Sequence, residues 1–73
     1  MPPAPDPRKQ LAAVKRHVAE VEGRVARQAE AVARLRAEDR DAAEAEALLR
    51  AFRQSLELLR EHRERFLGEV AGG

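Results

Sequence analysis

Imidazole is both the commonest metal ligand and the side chain that titrates nearest neutrality, and this chain has two, His17 and His62. Their residue numbers sum to 79, so a chain that doubled back near residue 40 would make them neighbours. Two imidazoles supply half of a four-ligand site. Glu20 is the one carboxylate at a helpful spacing, and the Glu-x-x-His pattern of di-metal carboxylate bundles is missing. The residues therefore imply no metal and no cofactor. They leave a mild pH-sensitive contact or, more simply, two surface histidines. Covalent catalysis finds no support either. The chain has one serine, Ser55, and no cysteine, threonine, tyrosine or glycine-rich phosphate loop. We expect no enzyme.

Positive charge is the next candidate. Arg8, Lys9, Lys15, Arg16, Arg24 and Arg27 lie in the first half, where basic residues outnumber acidic ones; the second half reverses the balance. Such a cluster could hold nucleic acid, as in small dimeric RNA-binding bundles, and would then bind at low salt with a steep loss as salt rises. The formal net charge is only +1, acidic residues interrupt every basic run, and aromatics are 3% of the chain. No surface for stacking bases is implied. Nucleic-acid binding is the alternative reading.

The elements that must position these groups are more legible than the groups themselves. Large apolar residues form two ladders of three- and four-residue steps. The first runs Leu11, Val14, Val18, Val21, Val25, Gln28, Val32, Leu35; the second runs Ala45, Leu49, Phe52, Leu56, Leu59, Arg63, Phe66, Val70. Paired outwards, from Leu35 with Ala45 to Leu11 with Val70, their numbers always sum to 80 or 81. The ladders are mirror images about Arg40, which is what an antiparallel hairpin needs, since each seam residue must meet its partner at the same height. The expected fold is all-α: a coiled-coil-like two-helix hairpin. Its core comprises Leu11, Val14, Val18, Val21, Val25, Val32, Leu35, Leu49, Phe52, Leu56, Leu59 and Phe66.

Boundaries follow from local chemistry. Residues 1–6 hold three of the four prolines and read as a disordered tail. Asp6 before Pro7 suits a helix start. Helix 1 is expected over about 7–38, a turn over 38–41, helix 2 over about 42–71, and a frayed end at 72–73. Gly68 is a possible earlier stop. Gly23 falls opposite the seam as a surface glycine, or else marks a point where another helix comes close. The turn contains neither Gly nor Pro, so one unbroken rod pairing with another chain is the competing reading. Against it, the continued ladder would bury Asp39, and Asp41 with Glu44 can form a capping box.

The stretch Ala33-Arg34-Leu35-Arg36-Ala37, resumed at Ala43-Glu44-Ala45-Glu46-Ala47-Leu48-Leu49, resembles short uncharacterised proteobacterial helical-hairpin proteins of unknown function. The similarity extends over roughly residues 15–67. Those proteins tend to carry a Gly-His pair in the turn and a threonine after the aspartate, where this chain has Asp39-Arg40 and Ala42. The resemblance implies the hairpin and brings no activity with it.

A hairpin of 73 residues leaves half of each seam uncovered, and chains this short rarely stand on one small core. Self-association follows, most simply as a homodimeric four-helix bundle. The expected contact residues are an exposed stripe of Leu48, Leu58 and Leu67, with Ala26, Ala29 and Ala33 on the other flank; another protein could also use them. Gln28, on the seam opposite Phe52, would set register. Arg63 would lay its methylenes on the seam and send its head to water. Pairs such as Glu20–Arg24, Glu30–Arg34, Glu46–Arg50 and Glu61–Arg65 would lace the outer faces. No apolar run reaches the ~20 residues of a membrane span, and the first residues lack a signal-peptide pattern. The expected location is the cytoplasm. The leading expectation is a non-enzymatic scaffold, adaptor or accessory subunit.

Overall fold

Asp6 starts the first helix. Its carboxylate accepts the Arg8 amide at 3.0 Å, its carbonyl accepts Gln10 N–H at 3.1 Å, and Pro7 takes the first helical position. The computed structural model describes residues 6–72, so the expected tail at Met1–Pro5 lies outside the described residues. Helix α1 spans Pro7–Ala37 and carries Arg34 and Arg36 in its last turn, where cations suit the negative end of the helix.

The chain then turns back through residues 38–42. Glu38 caps α1, and Asp39 adopts φ +55°. Arg40 N–H donates to Leu35 O at 2.9 Å and Asp39 N–H to Arg36 O at 3.1 Å. These two bonds are the Schellman arrangement, with an aspartate where glycine is usual. Asp41 Oδ1 accepts the Ala43 amide at 2.9 Å, and α2 runs Ala43–Gly72 with Glu44 and Glu46 in its first turn. The expected capping box does not form: Asp41 accepts from Ala43 and not from Glu44, and Ala42, whose carbonyl takes Glu46 N–H at 2.8 Å, is the residue just before the helix. The helix thus begins one residue later than expected, and Ala42 is buried in the core. It runs through Gly68, around which there is open space, and reaches Gly72 rather than fraying there.

The two helices pack antiparallel as a hairpin. One cluster gathers Val18, Val21 and Leu56; the other gathers Val32, Ala42 and Leu49; Val25 packs against both. Leu11 and Val14 are buried towards the open end. The remaining expected core residues, Val25, Leu35, Phe52, Leu59 and Phe66, are only half-buried. A seam between two helices covers each side chain from one direction; Val25, Leu35 and Leu59 pack against the buried clusters and keep an open outer side. A Cβ at Gly23 would first meet the guanidinium of Arg27 from its own helix, at 3.3 Å.

Candidate interaction surfaces

The hairpin has two flanks, and they differ in chemistry. Around an α-helix, side-chain direction advances by about 100° per residue, so residues seven apart share a flank. On one flank, Arg36 of α1 pairs with Glu46 of α2, and Arg60 of α2 lies 3.5 Å from Glu22 of α1. Ala29 and Ala33 lie beside this pairing. With Arg36, Glu46, Arg50 and Arg53 they wall an open trough of about 340 Å³, floored by Val32 and Leu49. Both ion pairs between helices therefore sit on this side. The third pair, Arg40 with Glu38, closes the turn at 3.5 Å.

The α2 edge of the opposite flank has little charge, whereas its α1 edge carries Arg24, with Glu20, Arg27 and Arg34 beside it. Leu48 and Ser55 run along its α2 edge, followed at the next seven-residue step by His62. Ala31, Arg24 and His17 stand at matching heights on α1, since each pair of residue numbers sums to 79. Phe52, Leu59 and Phe66 lie between this edge and the seam. Leu48 is 45% exposed, whereas both phenylalanines are half-buried.

Three sequence expectations change here. Leu48, Leu58 and Leu67 are all exposed, but they do not form one stripe. Leu58 and Leu67, nine residues apart, point in directions about 180° apart. Leu67 continues the Arg53–Arg60 line and shares the flank of Ala26, Ala29 and Ala33. The anticipated pairs four residues apart do not form among the described residues; Glu46 reaches across to Arg36 instead of along to Arg50. Gln28 Nε2 donates to Ala45 O at 3.0 Å, tying the middle of α1 to the first turn of α2 rather than simply facing Phe52.

The other candidates are dispersed. His17 and His62 are both exposed, and no group of three or more potential metal ligands occurs among the described residues. Arg8, Lys9, Lys15, Arg16, Arg24 and Arg27 are exposed and distributed around the outer half of α1 instead of along one line. Arg63 is half-buried. Sequence reasoning missed the ion pairs between helices and the buried Ala42. The first had a readable signal, because Arg36 with Glu46 and Glu22 with Arg60 both sum to 82. The chain matches no family model, no curated protein and no solved structure. No helix among the described residues is long and apolar enough to cross a membrane.

Proposed function

We propose that this chain is a non-enzymatic assembly module: a helical hairpin that binds copies of itself and serves as a scaffold, adaptor or accessory subunit. The observation that carries the reading is uncovered area. The chain exposes 5719 Å², whereas a compact protein of 8.1 kDa exposes about 4,500 Å². The excess, on the order of 1,000 Å², compares with the ~800 Å² that each partner contributes to a standard interface. It reflects a layer one helix deep: the molecule measures 57 × 24 × 14 Å, with a radius of gyration of 16.8 Å against about 11 Å for a compact chain of this length. Half-buried phenylalanines fit that picture, since aromatic side chains gain most from complete burial.

Size exclusion with light scattering tests this. A mass of at least twice 8.1 kDa is expected at tens of micromolar. A monomer mass up to millimolar concentration would sink the reading.

A further inference from the structure

We propose that a second copy of the chain packs on the flank that carries Leu48 and Ser55, while the flank latched by Arg36–Glu46 and Glu22–Arg60 faces solvent. This rests on the self-association proposed above and assigns its surface.

Three observations converge on the choice. The first is charge. The α2 edge of the Leu48 flank, Leu48, Ser55 and His62 with Ala51 and Leu58 beyond them, carries no charged side chain before Arg65, so a helix laid along that edge buries little charge. On the α2 edge of the other flank it would cover Arg50 and Arg53, which, like Arg24 of α1 on the chosen flank, have no acidic partner among the described residues. Desolvating them unpaired opposes docking. The second is the pattern of α2. Leu48, Phe52, Ser55, Leu59, His62 and Phe66 follow steps of four and three, so α2 carries a second ladder that shares Phe52, Leu59 and Phe66 with the seam. A helix with two adjoining ladders is built to touch two neighbours. α1 is one neighbour, and the structure leaves the place of the other open. The third is burial: the shared residues Phe52, Leu59 and Phe66 are half-buried, and Leu48 is 45% exposed.

The occupant is another copy because the surface complements itself. It offers a leucine near the turn, a phenylalanine near the chain ends and small residues, Ala31 and Ser55, between them. An isologous contact needs that self-matching, and the surplus area is of the size one such contact covers.

Sedimentation equilibrium on the full chain, with circular dichroism to verify helicity, provides the test. Leu48→Glu and Ser55→Arg replace exposed residues, so both variants remain helical. Each should raise the dimer dissociation constant about 100-fold or more, as loss of a central contact does. Ala33→Glu, on the latched flank, should change it less than about threefold. If Ala33→Glu dissociates the dimer and the other two do not, the assignment is overturned while self-association stands. Equal effects of all three, or none, overturn it as well. A wild-type chain that stays monomeric to millimolar concentration removes the self-association reading itself.

Discussion

Gln28 shows how a polar residue earns its position on an apolar seam. Its amide reaches a backbone carbonyl of α2, at Ala45, over 3.0 Å in a partly buried setting. A leucine there would pack but could not distinguish one register from another. The amide can be satisfied only where that carbonyl stands. Loss of one such bond destabilises by about 1 kcal/mol. Gln28→Ala should therefore lower the urea midpoint by that equivalent with an unchanged denaturant slope; an unchanged midpoint would show that water replaces the bond. From sequence the residue was recognisable as a register device, but its partner was not. Side-chain reach runs along the helix as well as across it, and equal-height pairing pointed to Phe52 instead.

At the scale of elements, the helix starts were readable because their chemistry is local. Asp6 with Arg8 and Asp41 with Ala43 each place a carboxylate over an amide that would otherwise lack a partner. The seam was readable because repeats of three and four residues have one geometric meaning. What could not be read was how completely each seam residue is covered. Val25, Leu35, Phe52, Leu59 and Phe66 fit the ladder as well as Val18 does, yet Val18 is 2% exposed and they are half-buried. Their covering depends on a neighbour rather than on the repeat. Ala42 escaped notice for a related reason: it extends the second ladder by one step of three before Ala45, but it is small and precedes α2, and the turn carries it over Val32 and Leu49. The grouping of Leu67 with Leu58 failed by simple rotation about the helix axis. Substitutions separate the contributions of Asp41 and Glu44. Asp41→Ala should destabilise by about 1 kcal/mol, whereas Glu44→Ala should stay within about 0.5 kcal/mol. Thermal melts of the two variants would show it, and equal losses would mean that Glu44 also caps.

For the whole molecule, thinness governs behaviour. A body 14 Å deep has no interior in which to hide a pocket, and its chemistry is confined to its flanks. The connection between the two layers of sequence is also economical: five residues, 38–42, with one of them, Asp39, held at φ +55°. Branched side chains resist that conformation. Because residue numbers across the seam add to a near-constant, the seam reads as a palindrome centred on Arg40. Two straightened chains laid head to tail would set the same residues at matching heights, although an unbroken helix carries Asp39 onto the first ladder and rotates the second off it. Asp39→Val penalises the bend and removes that carboxylate from the straight form, and should shift molecules towards an exchanged pair. Small-angle scattering would then show a longest dimension near 100 Å, about 1.5 Å for each residue of an unbroken helix, in place of the 57 Å body. A variant that merely loses stability at constant length would mean that the bend is held by more than Asp39. If the exchange occurs, a single backbone angle sets whether this palindrome is read within one chain or between two.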